Sequence, residues 1–269
     1  MNLLVIGESW PAQGPTLKCI KTPEAVNARA TRSTFEVWEN DLGWWPVDAV
    51  LWRCQFDADL RREVALLEMI DFTGVPCINS ASTNLRFGGR ISSHTVLRRG
   101  GLPVVEQELW VGRLVEPTPP IGRHGVIKVG NYHMGFGKGL ARTEAQWRDL
   151  VDVAIVANDF IAVEPHLSYV NDVRCLVVGE RIVGVERVPR SWKANDNPIE
   201  VRDFTLNPEL KGYIRRAVHL LQADVVGLDF LRLDTGQWIL LEANLSPGLS
   251  TANGDSLRSE LFELVRRRV

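Results

Sequence analysis

Glu242 and Asn244, one alanine apart, and Asp229 upstream are oxygen-bearing side chains set in otherwise apolar runs. The runs flank Asp234-Thr235-Gly236, so the stretch from Gly227 to Asn244 reads as a β-hairpin. Strict alternation puts Trp238, Leu240, Glu242 and Asn244 on one face and Ile239, Leu241 and Ala243 on the other. A four-residue loop, Asp234 to Gln237, sets Asp229 opposite Glu242, whereas a three-residue loop turns it to the other face. Burying an unpaired carboxylate costs several kcal/mol. A hard cation removes that cost: Mg²⁺ takes oxygen ligands, keeps some waters, and is held by one or two carboxylates plus substrate phosphates. Asp229, Glu242 and Asn244 fit this description, and taken alone they also fit a hairpin end with solvated acids.

Lys128 lies between Ile127 and Val129, where a charge breaks the strand pattern. It reads either as a lysine snorkelling from a sheet edge or as a phosphate contact, because the loop behind it, Gly130 to Gly139, is rich in glycine. That loop is not a Walker loop, since no Gly-Lys is followed by Ser or Thr at the required spacing. Asp172 and Arg174 lie two apart on a strand and share a face, an arrangement a surface ion-pair ladder also produces.

Gly227-Leu-Asp229 followed by Glu242-Ala-Asn244-Leu-Ser-Pro-Gly248 resembles the metal-binding end of ATP-grasp proteins, most closely the branch of RimK-like ligases, glutathione synthetase and synapsin. Val126-Ile-Lys128-Val-Gly130, Gly135-Phe-Gly-Lys-Gly139, Val163-Glu-Pro165, Asn171-Asp-Val-Arg174 and Trp192-Lys-Ala-Asn195 follow the family's order. The resemblance implies Mg²⁺, with Mn²⁺ as an alternative, on Asp229, Glu242 and Asn244. It implies ATP held by Arg90, Lys128, Gly135, Gly137, Lys138, Glu164, Asp172 and Asn195, and catalytic roles for Arg174 and Lys193. Gly135, Gly137 and Gly139 would let the loop backbone approach the triphosphate. Glu164-Pro165 would mark the hinge beside adenine, and Arg174 would lie near the transferred phosphoryl group. Arg90 and Lys193 stand where relatives commonly carry lysine and arginine respectively, and Lys193 keeps the charge without the bidentate fork.

The elements that must position these residues follow from the rest of the chain. At 269 residues, 45% of them hydrophobic, it can bury a substantial core in one unit of two or three subdomains. A net charge of -2 argues against a nucleic-acid or membrane-surface binder. Cys19, Cys54, Cys77 and Cys175 show no metal-ligand spacing, nor do His94, His124, His166 and His219. Reduced thiols, a short apolar N-terminal run and no membrane-length apolar stretch lead to the expectation of a soluble cytoplasmic protein.

Leu3 to Ile6, Asp48 to Trp52 and Val75 to Ile78 read as strands of a small parallel sheet with helical crossovers. One helix is expected at Thr22-Pro23-Glu24. Another is capped by Asp57, carries Leu60, Val64 and Leu67, and ends at Gly74. Ser80 to Gly89 reads as a connector before a helix from Arg90 to Arg99. The glycine-rich loop leads to a helix announced by Thr143-Glu-Ala-Gln146. Asp172 to Val178 and Arg181 to Arg187 form a hairpin, Asn207-Pro208 opens a helix buried through Leu210, Ile214, Ala217 and Leu221, and Leu257, Leu261 and Leu264 mark a last helix.

The expected architecture is an α+β ATP-grasp fold. Residues 1–85 form an N-terminal α/β domain, 86–162 a central subdomain with the glycine-rich lid, and 163–269 a C-terminal subdomain with the metal site. The activity it implies is ATP-dependent ligation of a small-molecule or peptide carboxylate to an amine through an acylphosphate. A synapsin-type ATP-binding regulator and a small-molecule kinase stay open beside it, as do homo-oligomerisation and the roles of Trp44, Trp45 and Arg53.

Overall fold

The computed structural model describes residues 1–8, 16–40, 43–54, 60–112, 116–120, 124–132, 135–157, 159–193, 198–249 and 254–269. The N-terminal part of the chain forms six strands, β1 (Asn2–Ile6), β2 (Thr16–Ile20), β3 (Ala28–Ala30), β4 (Phe35–Glu39), β5 (Gly43–Pro46) and β6 (Ala49–Trp52), of which the apolar runs of β1 and β6 are buried along their length. Helix α1 (Leu60–Thr73), β7 (Cys77–Ile78) and α2 (Ala81–Phe87) follow. The parallel sheet has the order β2-β1-β6-β7.

Three expectations for this region need correction or fall outside the described residues. The helix expected at Pro23 is a single 3-10 turn, Pro23–Ala25: Thr22 gives it no side-chain cap and Val26 returns to extended backbone. Beyond it, Phe35 and Val37 alternate inward with Glu36 and Trp38 outward, so a three-stranded antiparallel sheet, β3-β4-β5, stands where a crossover helix was expected. The supposed connector after Ser80 is the helix α2, because Ser80 Oγ accepts a hydrogen bond from Thr83 N at 3.0 Å and Ala81, Thr83 and Asn84 are buried. Asp57 lies outside the described residues.

The chain continues through α3 (Arg90–Arg99), β8 (Glu108–Trp110), β9 (Gly125–Val129), β10 (Lys138–Ala141), α4 (Glu144–Val156) and β11 (Ile161–Pro165). These strands make an antiparallel sheet, β10-β9-β11-β8, covered by α4 through Trp147, Val151 and Ala154. The loop after β9 therefore leads into a further strand before the helix. It is a hairpin turn, with Val129 N donating to Gly137 O at 2.8 Å. Thr143 caps α4 through Gln146 N, and Gln146 reaches back to Arg142 N.

A five-stranded sheet completes the fold, built from β12 (Asn171–Val178), β13 (Arg181–Val188), β14 (Glu200–Asp203), β15 (Val225–Arg232) and β16 (Trp238–Asn244), with helices α5 (Pro208–Leu221) and α6 (Gly254–Arg268). Its order is β14-β13-β12-β15-β16, antiparallel throughout. One face packs against α5 and α3 through Leu210, Ile214, Ala217, Leu221 and Leu97. The other face is divided along its length. Leu176 and Val178 pack with α6 and with Leu3, Val5 and Leu51 of the parallel sheet, while Asp172 and Arg174, earlier on the same side of β12, remain outside that core. Two-residue periodicity thus runs one strand face from charged to apolar.

The β15–β16 hairpin departs from strict alternation. Gly236 N donates to Leu233 O at 2.9 Å and Leu233 N to Gln237 O at 2.8 Å, with Gly236 at φ +87°, so the loop has three residues with glycine at its left-handed position. That register would place Asp229 opposite Leu241. Instead the pairing shifts: Phe230 faces Leu240, but Asp229 faces Glu242 and Gly227 faces Asn244. Leu241 is a β-bulge, and its extra residue restores the acid pair. It also corrects the expected grouping, since Trp238 and Leu240 enter the core under α5 while Glu242 lies with Asp229 on the opposite face. Among the described residues, no helix is long and apolar enough to cross a membrane.

Candidate active site

The open part of the five-stranded sheet faces the antiparallel four-stranded sheet across a cleft whose empty space, its open mouth included, is about 730 Å³. Asp172, Arg187, Asp229, Leu231 and Glu242 line one wall, and Val126, Lys128, Lys138 and Glu164 the other, with Trp192 and Lys193 at the edge. Antiparallel pairing of β9 with β10 sets Lys128 opposite Lys138, so both ammonium groups project from one face.

Lys138 Nζ crosses the cleft and donates to Glu242 Oε2 at 3.0 Å. Arg90 Nη1 lies 3.7 Å from the same oxygen, while Arg90 Nε and Nη2 donate to the carbonyls of Gly130 and Tyr132. Lys128 donates to Glu164 Oε1 at 2.7 Å, and the two side chains are 7% and 4% exposed. Burial lowers the Lys128 pKa, and Glu164 opposes the shift. Lys128 is therefore a buried ion-pair partner, and the edge-snorkelling alternative is set aside.

On the opposite wall, Asp172 Oδ1 accepts from Arg187 Nε at 2.7 Å, with Nη2 at 2.5 Å. Arg187 Nη2 also lies 3.3 Å from Asp229 Oδ1, and Arg174 Nε 3.5 Å from that oxygen. Burial raises the Asp172 carboxyl to about 6 against the pull of Arg187, and Asp229 adds to the rise. Asp229 Oδ1 is buried and accepts no hydrogen bond among the described residues.

That oxygen tests whether the residues suit a divalent cation. A buried anionic oxygen without a hydrogen-bond donor, paired across the strands with a second carboxylate, is a fitting donor set for a hard metal. Asn244 Oδ1 accepts from Ser246 N at 2.8 Å, which leaves its second lone pair for a ligand. No group of three His, Cys, Asp or Glu side chains gathers around a metal position among the described residues, so the candidate set is two carboxylates and an amide.

The remaining expected residues surround this centre. Lys193 Nζ donates to the carbonyl of buried Gly135 at 2.9 Å, tying the glycine-rich turn to the segment after β13. Gly137 anchors the same turn to β9. Asp172 and Arg174 share a face without pairing with each other: each takes a partner on a neighbouring strand. Asn195 and His133 lie outside the described residues. Arg187 escaped the sequence reading because it ends a hairpin strand. Its position opposite Asp172 in the register was the available signal. Tyr169 and Leu231, also in the lining, gave no signal beyond hydrophobicity.

Residues 93–260 match the model of the RimK-like ATP-grasp domain. A curated relative from Shewanella sp. (strain MR-4), "Probable alpha-L-glutamate ligase 2", is 24% identical over 257 residues, covering 92% of this chain and 85% of that protein. Among solved structures, the macrocyclase MdnC bound with precursor peptide MdnA, from Microcystis aeruginosa MRC, superposes with a TM-score of 0.72 at 11% identity, covering 99% of this chain and 100% of the other. A Chryseobacterium gregarium RiPP-associated ATP-grasp ligase, in complex with ADP and a leader and core peptide, gives 0.70 at 12% identity, covering 100% and 97%.

Proposed function

Because the chain belongs to the RimK-like ATP-grasp family, we propose that it is an ATP-dependent ligase joining a carboxylate to an amine through an acylphosphate, with release of ADP and phosphate. One observation carries this reading: cations from both walls, Lys138, Arg174 and Arg187, converge on the facing carboxylates Asp229 and Glu242. Such a cleft neutralises a polyphosphate and holds a second anion beside it.

Asp229, Glu242 and Asn244 would hold Mg²⁺ or Mn²⁺, which would supply positive charge to offset that of the phosphates. Lys128, Lys138 and Arg90 take the phosphates, and Glu164 keeps Lys128 charged in its buried position. Asn195 keeps the phosphate and metal contact that the resemblance assigns. Lys193 and Gly135 hold the lid turn shut, excluding water. A substrate carboxylate oxygen attacks the γ-phosphorus and ADP leaves. The amine then attacks the acyl carbon, phosphate leaves with the former carboxylate oxygen, and the surplus proton passes to solvent. Arg174 faces the charge that develops on the acylphosphate.

The substrate class is an amino acid or peptide carboxylate with an amino acid or peptide amine, supported by the glutamate-ligase name of the relative and by the peptides in the two solved structures. The four cysteines form no disulfide among the described residues, which accords with a cytoplasmic location. The test is ADP and phosphate release against a panel of amino acids and short peptides. Acceptor-dependent phosphate release with a new amide in the product supports the ligase. Phosphorylated acceptor without phosphate release would identify a kinase, and MgATP binding without turnover on any acceptor a regulator.

A further inference from the structure

Three consecutive residues just beyond β16 are each hydrogen-bonded to the N-terminal part of the chain. Leu245 O accepts from Asn79 Nδ2 at 3.0 Å, Ser246 Oγ donates to Cys54 O at 2.8 Å, and Pro247 O accepts from Arg53 Nη2. The first two fixings are made by neutral groups. The third uses a guanidinium that is 3% exposed, with Glu8 Oε2 3.0 Å from its Nε. Burying that charge is costly without directed partners, and a purely packing role is served more cheaply by an apolar side chain. Its direction therefore calls for a reason.

The reason lies two contacts further on. A Cβ placed on Gly227 would meet Pro247 Cβ at 2.7 Å and Arg174 Nη2 at 3.5 Å, so Pro247, Gly227 and Arg174 are in close apposition. Gly227 is the register partner of Asn244, and Arg174 that of Asp229. Asn244 is itself held by Ser246 N, whose own side chain is tied to Cys54. The turn that Arg53 grips is thus the backstop of both the amide and the arginine beside the acid pair.

We propose that Arg53 is a positioning residue for the cation site: by fixing Pro247 it holds Asn244 and Arg174 in register with Asp229 and Glu242. The inference rests on the assignment of Asp229, Glu242 and Asn244 as metal ligands, made above. Arg53 touches neither metal nor nucleotide in this role. The N-terminal sheet, through Arg53, sets the geometry of ligands on a strand of another sheet.

The test measures Mn²⁺ binding by titration in the presence of a non-hydrolysable ATP analogue, and analogue binding without metal, in the full chain. Replacing Arg53→Met together with Glu8→Gln avoids leaving an unpaired acid. The expected result is at least a tenfold rise in the Mn²⁺ concentration for half-saturation, metal-free analogue affinity within about twofold of the parent, and partial recovery with Arg53→Lys. Should the double variant fail to fold, Ser246→Ala reports the same linkage, with a smaller rise of about threefold expected. An unchanged Mn²⁺ half-saturation in the folded variants, alongside a weakened one for Glu242→Gln, overturns the positioning role and leaves the metal site standing. If Glu242→Gln is also without effect on Mn²⁺ binding, the ligand assignment falls and the inference with it. Equal losses of metal and metal-free analogue binding point to general disruption and also overturn it.

Discussion

The four-stranded sheet and α4 share one small core that, among the described residues, has no member in common with the others, whereas the five-stranded sheet enters two cores: one with α3 and α5, one with α6 and the parallel sheet. The facing acids and Arg174 and Arg187 stand on the doubly anchored wall, and Lys128 and Lys138 on the separately cored one. The groups proposed to hold the cation thus stand on the sheet that shares two cores, and the groups proposed to take the phosphates on the sheet with a core of its own, where local opening involves fewer shared contacts.

The largest effect expected is from Glu242→Gln on the anchored wall. It removes one of the paired acids and the anchor of Lys138, so turnover should fall by roughly two to three orders of magnitude, with a thermal midpoint shifted by less than about 2 °C. Unchanged turnover takes the acid pair out of the site.

Lys128→Ala probes the other wall. It leaves Glu164 buried opposite an empty space, at a cost of about 3–5 kcal/mol, and the lost hydrogen-exchange protection should be confined to β9, β11 and α4. Joint replacement, Lys128→Met with Glu164→Leu, should recover stability without recovering nucleotide affinity. Protection lost equally from both walls would break the comparison.

Arg174→Ala sharpens it. A group engaged mainly as charge develops should cost more than about 2 kcal/mol in turnover and less than about 1 kcal/mol in ATP affinity. Parallel losses in both would make Arg174 a ground-state contact instead.

Much of this division was legible beforehand, since charges interrupting apolar strands marked Lys128, Asp172, Asp229 and Glu242, and the helices followed their apolar stripes and caps. What was not legible depended on nonlocal pairing. Arg187 reads as a hairpin-end charge until β13 is laid beside β12. Strand β10 hides in glycines, because Gly139 earns its place by close packing on Leu150 and not by strand propensity. Helix α2 is polar in composition and is held by a serine cap against buried neighbours. The sheet β3-β4-β5 lost to a proline signal that is equally good for a single turn.

The acid Asp172 supplies a pH test of the anchored wall. Its carboxyl is raised from 3.8 to about 6, so the folded state binds the proton more tightly than the unfolded state does. The contribution to stability is then complete below the unfolded value and is lost as pH rises through about 6. D172N lacks this slope, so its stability relative to the parent, measured by urea unfolding, should improve between about pH 4 and pH 7. A constant gap over that range would mean that Arg187 neutralises Asp172 fully.

The smallest effect belongs to the lid. Nucleotide with Mg²⁺ should raise exchange protection in residues 130–139, and Lys193→Met, by removing the bond to Gly135 O, should reduce that gain by about 0.5–1.5 kcal/mol equivalents. Identical protection with and without nucleotide would argue that the turn is permanently closed.

The bulge at Leu241 has a consequence for how this hairpin tolerates change. A strand pair normally transmits a one-residue change in its loop to every pair along its length, inverting both faces. Here a short loop and a surplus residue cancel before the acid pair is reached, so lengthening the turn by one residue while deleting Leu241 returns Asp229 to Glu242 by a different route. Deleting Leu241 alone, with the three-residue turn kept, also leaves Phe230 beside Leu240 and brings Glu242 next in line, opposite Asp229. The bulge thus takes up one residue of length without moving the acid pair, and homologous chains that align poorly between Leu233 and Glu242 can still present the same two carboxylates to the cleft.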